Sequence, residues 1–279
     1  MPDMPVHPPT DWIGYSIALR LGSPIHIGWR SIGNLKQTRP YVPGSALWGA
    51  LSACLARDYL SNDFRSAEAR VSSQMRLTYL YPSISPDRVT KWPWGAGRSE
   101  FEWLFLDSRV STALQHGGIA ERNFLHEIEC ISTFARDGSA VWLMGYCWTR
   151  PDWPLDQLRS LWSSVQVGGE RTYGFGRIAE ARIDPLNDGV FDDLDVELGD
   201  DVVLRAPGPH YLRAHVPEDL TFKDFADVEP LVGRNIDPRG RYNLTAAKDG
   251  VAAYAPGTNV AYPERWRITD RGLWRAYQG

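Results

Sequence analysis

Long apolar runs, cysteine pairs and lysine are what this sequence lacks. No stretch approaches the roughly 18 consecutive apolar residues of a membrane-spanning helix. The opening residues, MPDMPVHPPTDW, have no basic region leading into an apolar core. A cytoplasmic protein with no membrane partner is therefore expected. The three cysteines, Cys54, Cys130 and Cys147, sit in apolar contexts without C-x-x-C spacing and read as buried thiols. His126 stands beside acids without a second ligand, and His210 and His215 are five apart, so no metal is expected. Neither a Walker loop nor a Ser/His/Asp signature is present, and no cofactor is expected. Lysine is outnumbered by arginine 4 to 26, a ratio that suits phosphate forks but that genomic composition also produces.

A net charge of −4 gives the whole chain no general attraction to phosphate. The distribution is uneven. Eight acids and no base fall between Ile183 and Leu204, leaving about +4 on the rest of the chain. From Trp12 to Arg57 there are Arg20, Arg30, Lys36, Arg39 and Arg57 and no acid.

Ile13 to Leu21 alternates as a half-buried strand, with Pro24 to Trp29 following as the second arm of a short hairpin. Ser45 is placed to cap a helix running to about Tyr59, whose apolar face is Leu47, Leu51, Cys54 and Leu55. Arg76 to Tyr81 reads as a strand, and Glu129–Phe134 with Ala140–Trp148 as a hairpin around Asp137-Gly138. Leu155 to Val165 reads as a second helix and Arg177 to Ile183 as a last strand. The order strand, helix, strand, strand, helix, strand is the split βαβ pattern, so the expected class is α+β with a ferredoxin-like (RRM-like) domain over residues 1–183. A protruding insertion is expected at about 83–127, carrying Trp92 and Trp94 between Lys91 and Arg98. Residues 184–204 read as an acidic linker or loop, and 205–279 as a smaller β-rich part.

The most informative string is Val167-Gly-Gly-Glu-Arg-Thr-Tyr-Gly-Phe-Gly-Arg-Ile178, between a helix and a strand. Glycines there let main-chain N–H groups approach an anion. Gly168, Gly169, Gly174 and Gly176 would give access, Arg171, Thr172 and Arg177 polar contacts, and Tyr173 or Phe175 a flat face for a base. A plain chain reversal would need glycines as well.

Three segments, in this order, resemble the RAMP superfamily of CRISPR-associated RNA-binding proteins. They are Ile25-His-Ile-Gly28 with Pro43-Gly-Ser-Ala-Leu-Trp-Gly-Ala-Leu51, then Ala120 to Ile131, then Gly168 to Gly176. Within that superfamily the loop looks most like that of the subunit capping the 5′ end of the guide RNA in type III effector complexes, which serve antiviral RNA-guided defence. The resemblance implies guide RNA, the large polymerase-like subunit and the backbone RAMP subunits as partners. RNA contacts are expected at His26, Arg30, Lys36, Arg39, Ser45, Trp92, Trp94 and the loop residues 168, 169 and 171–177, with the cations on backbone phosphates and Tyr173 or the Trp92–Trp94 tip stacked on a base.

Catalysis is not expected. Backbone members of the superfamily cut with an aspartate in the loop before the Pro-Gly-Ser helix, whereas Trp29 to Pro40 contains no carboxylate. Guide-processing members commonly use a histidine, for which His26 is the candidate. A histidine between Ile25 and Ile27 also fits the solvent-facing position of a strand. A purely protein-binding assembly subunit is the remaining alternative.

Overall fold

The computed structural model describes residues 12–112, 125–187, 189–217, 227–231, 235–236, 242–243 and 251–277. In chain order the main elements are β1 (Ile13–Leu21), β2 (Gly28–Ile32), β3 (Leu35–Thr38), α1 (Gly44–Tyr59), α2 (Phe64–Gln74), β4 (Met75–Leu77) and β5 (Tyr81–Ser83). Next come α3 (Arg98–Phe105), β6 (Leu106–Ser111), β7 (His126–Ile131), β8 (Trp142–Thr149), α4 (Leu155–Ser164), β9 (Ile178–Pro185), β10 (Asp195–Leu198) and β11 (Val202–Arg205). Short strands follow, including Val228–Leu231, Arg265–Ile268 and Trp274–Ala276. The protein is α+β.

The central sheet has the order β4-β8-β1-β9, antiparallel at each pairing, with β5 also on β8. α1 and α2 connect β1 to β4, and α4 connects β8 to β9. One sheet face carries Ile17, Leu19, Leu143 and Cys147, which join Leu47, Leu51, Leu158, Leu161 and Trp162 of the helices in a single core. On the opposite face, Trp142, Met144, Tyr146 and Trp148 pack with Leu204, Trp266 and Trp274 of the C-terminal part. Every residue of β8 is buried, as a strand covered on both faces must be. An RRM reads RNA with aromatics on an open sheet face. Here that face is filled by the C-terminal part and is not open to a ligand.

A second sheet, ordered β2-β3-β7-β6, stands beside the first. Its presence corrects two expectations. Pro24 to Trp29 does not fold back on β1: Ile25 makes a lone bridge to Ile131, and β2 begins at Gly28 in the second sheet. The chain does turn at Asp137-Gly138, with Gly138 at φ +86°, but β7 and β8 on either side go to different sheets. Turn chemistry fixed the reversal while burial of both faces of β8 decided its partners.

The 83–127 region is anchored over its described part. Phe101, Leu104 and Phe105 of α3 enter the helix-side core, and β6 pairs with β7; residues 113–124 lie outside the described residues. Ser45 is not the cap of α1. Pro43 is extended at that position, and Ser45 is exposed in the first turn. The 184–204 segment is no linker either, since β10 and β11 form a hairpin and Val190, Phe191 and Leu194 are buried. Three of its eight acids are matched by arginines of the C-terminal part: Asp193 with Arg213, Glu197 with Arg265 and Asp201 with Arg267.

Candidate nucleic-acid interface

After α4 the chain closes a narrow neck before the glycine loop. Val167 donates its N–H to Gly176 (2.9 Å), and Gln166 Nε2 donates to the Phe175 carbonyl (2.7 Å). The loop is then fastened to the segment before β2, where Gly169 N–H meets the His26 carbonyl at 2.9 Å and Gly176 N–H the Pro24 carbonyl at 2.8 Å. Gly168 has φ +88° and Gly176 φ +87°; a Cβ on them would stand 2.5 Å from the His26 oxygen and 2.1 Å from the Val167 oxygen. Those two glycines are required by the protein's own main chain, not by an incoming anion. Gly174, at φ +83°, faces open space, and only the His26 side chain and carbonyl lie near Gly169, both at 3.8 Å.

The tip is a single 3₁₀ turn, Arg171–Tyr173, between left-handed Glu170 and Gly174. Among the described residues the main-chain N–H groups of Arg171 and Thr172 meet no acceptor, the arrangement of an anion nest. Arg171, Thr172 and Arg177 are exposed, and Tyr173 is 56% exposed. Arg171 is steered by a bond from its Nε to the Gly168 carbonyl (3.0 Å). Phe175 is only 8% exposed and packs on Ile128 and Cys130, so Tyr173 alone offers a flat face.

Two contacts join this loop to the second sheet. Lys36 Nζ on β3 meets Glu170 Oε1 at 2.7 Å, and the Tyr173 ring lies 6.2 Å from that of His126 at the start of β7. Beyond β3 is β2, exposed along its whole length, where the Arg30 guanidinium sits 4.1 Å over the Trp29 ring and Nε donates to Gln37 (2.7 Å). Loop tip, the Lys36 face of the β2–β3 hairpin and the start of β7 thus meet on one side of the second sheet, while Arg30, paired across the strands with Gln37, projects from the other face and lines a groove with Trp29, Arg98 and Glu102. Arg171 and Arg177 bring two cations to the loop side and Arg30 one to the other, none ion-paired to a carboxylate among the described residues.

The other expected residues are elsewhere or already engaged. His26 is 6% exposed, its Nδ1 2.7 Å from the Glu129 carbonyl, which corrects the solvent-facing reading. Arg39 is 9% exposed and paired with Glu229, with a further bond from Nη1 to Tyr41 Oη (3.2 Å). Burial alone would lower its pKa, but Tyr41 and Glu229 outweigh that and raise it. Burial pushes the Glu229 carboxyl up, and the bond from His215 with the Arg39 charge brings it below the ordinary value. His215, buried and 2.7 Å from Tyr79 Oη, is held down by burial, with Glu229 partly opposing. This closed network bolts the end of β3 to the C-terminal part.

Trp92 and Trp94 are not a protruding tip. They stack at 4.9 Å within an aromatic group containing Tyr81, Phe191 and Tyr211, with Arg213 over Trp92. Ser45 stands at the seam with the C-terminal part, because Gly44 packs on the main chain of Arg271 and Gly272. Sequence reading missed Trp29 and Glu170. An aromatic in an acid-free basic stretch was a usable signal for Trp29; nothing local marks Glu170 as the partner of Lys36.

No family description and no curated protein matches this chain. Among solved structures, it is similar in fold to a chain of a cryo-EM structure described as the Type III-B Cmr-beta bound to cognate target RNA and AMPPnP. The TM-score is 0.51 at 13% identity, over 88% of this chain and 86% of that one.

Proposed function

We propose that this protein is a non-catalytic subunit of a type III CRISPR effector ribonucleoprotein that holds the 5′ tag of the guide RNA and caps the assembly. The observation that carries the reading is the glycine-loop tip seated on the Lys36 face of the β2–β3 hairpin, with Arg171 and Arg177 free of carboxylates beside the exposed ring of Tyr173, and with Arg30 and Trp29 reached across the edge strand β2. Single-stranded RNA is held by this combination of cations along the backbone and aromatic faces under the bases. The antiparallel order β4-β8-β1-β9 with its two helical crossovers supports a ferredoxin-like RAMP domain. The fold likeness to a chain of a type III-B complex bound to target RNA supports the same setting, with the large subunit and backbone subunits as neighbours.

A non-catalytic role is favoured by the β2–β3 segment, where no carboxylate occurs from Trp29 to Pro40, and by the burial of His26. Cross-linking tests the proposal. Photo-activatable guide RNA in the purified assembly should label peptides within 26–39 and 168–177. Labelling confined to other subunits would leave this chain as a protein-only assembly subunit and refute RNA binding.

A further inference from the structure

At the β4 edge of the central sheet, remote from the glycine loop at the β9 side, three arginines far apart in sequence converge. Arg76 and Arg150 both lie on the indole of Trp12, at 4.8 and 4.0 Å. The Asp200 carbonyl accepts from Trp12 Nε1 (3.1 Å) and Arg150 Nη2 (3.3 Å), and Arg267 meets Asp201 at 3.4 Å. Between these groups is a cleft of about 460 Å³ lined by Ser72, Arg76, Asp201, Arg267, Thr269 and Asp270.

Arg76 is the unusual member. Its Nη1 is spent on the carbonyls of Ser72 (2.8 Å) and Met75 (2.7 Å), and its buried Nε has no acceptor. Among the described residues no carboxylate comes within ion-pair distance of it. Burial opposes its charge most, Asp201 and Asp270 beyond ion-pair distance favour it, and Arg150 with Arg267 oppose it further, so that the balance still lies against the charge. A guanidinium nevertheless remains protonated in proteins, and a partly buried cation whose carboxylates only partly compensate it is stabilised by a further anion.

Two hydroxyls on the cleft wall have a proton to give. Ser72 Oγ already accepts from Trp48 Nε1 (2.9 Å) and Thr269 Oγ1 from Leu273 N–H (3.0 Å), so each has its O–H left to donate.

We propose that this cleft is a second anion site, which takes one phosphate group between Arg76, Arg267 and the hydroxyls of Ser72 and Thr269. Donors on α2, β4 and the Arg265–Ile268 strand with the turn after it approach from separate walls, which suits a tetrahedral oxyanion. A planar carboxylate is satisfied by the fork of one guanidinium. Asp201 is neutralised by Arg267, whereas Asp270 has no cation partner and limits affinity. Three strand spacings, about 14 Å, separate β4 from β9 across the sheet, so the site is independent of the loop.

The test is calorimetric titration of the full chain with inorganic phosphate in low-chloride buffer. One saturable site is expected, weakened about tenfold in Arg267→Gln, tightened about fivefold in Asp270→Asn, and unchanged in Arg171→Gln/Arg177→Gln. Arg267 is chosen because it is more exposed than Arg76, and thermal melting checks that each variant folds. Displacement of phosphate by a short RNA in the Arg171→Gln/Arg177→Gln background would identify an RNA backbone as the source. Displacement by pyrophosphate but not by RNA would identify a free phosphate compound; both support the site. Absence of saturable binding at millimolar phosphate, wild-type affinity in Arg267→Gln, or glutarate binding as tightly as phosphate would overturn it, the last by assigning the cleft to a protein carboxylate.

Discussion

Replacing Glu170 by Gln should tighten RNA binding and make it more sensitive to salt. Arg30, Arg171 and Arg177 have no carboxylate partner, while Lys36 is neutralised by Glu170 at 2.7 Å and Arg39 by Glu229 in a buried pair. Arg30 lies on the other face of the hairpin, so two free cations, Arg171 and Arg177, face phosphates on the loop side and give a slope of log affinity against log salt of about −1.4, since each contributes about −0.7. Between 50 and 200 mM salt that amounts to a loss of about 7-fold. Removing the Glu170 charge releases Lys36, which raises the count to three and steepens the slope to about −2. Arg39→Gln should leave the slope unchanged, because its charge never reaches the RNA. Fluorescence anisotropy of a labelled single-stranded RNA across a salt series reads these values directly. A flat slope in the wild type, or an Arg39 variant that flattens it while Glu170→Gln does nothing, would refute the assignment of cations to this surface.

The two kinds of loop glycine should separate in urea denaturation. Gly168→Ala forces a Cβ to 2.5 Å from the His26 oxygen at a left-handed φ and should cost about 3 kcal/mol, against about 1 kcal/mol for Gly174→Ala, which meets nothing. Equal losses would contradict the close packing of the loop neck. Tyr173→Ala should weaken RNA binding by roughly 1–3 kcal/mol, whereas Trp94→Ala should lower the melting temperature and leave RNA affinity alone; the reverse pattern in paired anisotropy and melting measurements would reinstate Trp94 as a base-stacking residue. Stability should also fall with pH in two stages. His215 and Glu229 both have folded pKa values below their ordinary ones, so the unfolded chain binds protons more readily and gains on the native state as pH falls. The His215 contribution is complete above about pH 6.5 and lost below it, and that of Glu229 is complete above about pH 4.5. His215→Gln should remove the upper stage and also shrink the lower one, because the bond from His215 helps to hold the Glu229 carboxyl down, as followed by urea midpoints across pH.

What could be read from sequence depended on whether the controlling partner was near in the chain. The periodic apolar face of Leu47, Leu51 and Leu55 marked α1, and Leu158, Leu161 and Trp162 marked α4, because a helix declares its buried side within a few turns. The acidic 184–204 segment looked like a solvated linker because its arginine partners, Arg213, Arg265 and Arg267, lie later in the chain. Arg39 was misread for the same reason: Glu229 is 190 residues away. His26 was read as alternating outward in one sheet, but the chain crosses there from β1 to the second sheet, and its ring finds the Glu129 carbonyl inside. Trp92 and Trp94, between basic residues, had the composition of a stacking tip and the packing of an aromatic core.

If the proposed RNA binding holds, the C-terminal part limits where it can occur without contributing to the loop itself. By covering Trp142, Met144, Tyr146 and Trp148 it removes the open sheet face that an isolated RRM-like domain would use. Through Glu229 and His215 it also pins Arg39, immediately after β3, and so fixes the base of the hairpin that carries Trp29, Arg30 and Lys36. The hairpin in turn grips the loop through Lys36 and Glu170. A chain of net charge −4 can still hold unpaired arginines at the loop, because the acids of the 184–204 segment stand with the C-terminal part, where Asp193, Glu197 and Asp201 pair with arginines, and Glu229 is held at the hairpin base. The RNA affinity proposed for the loop is thus a matter of how those charges are partnered, and neither the overall composition nor the glycine content of the loop predicts it.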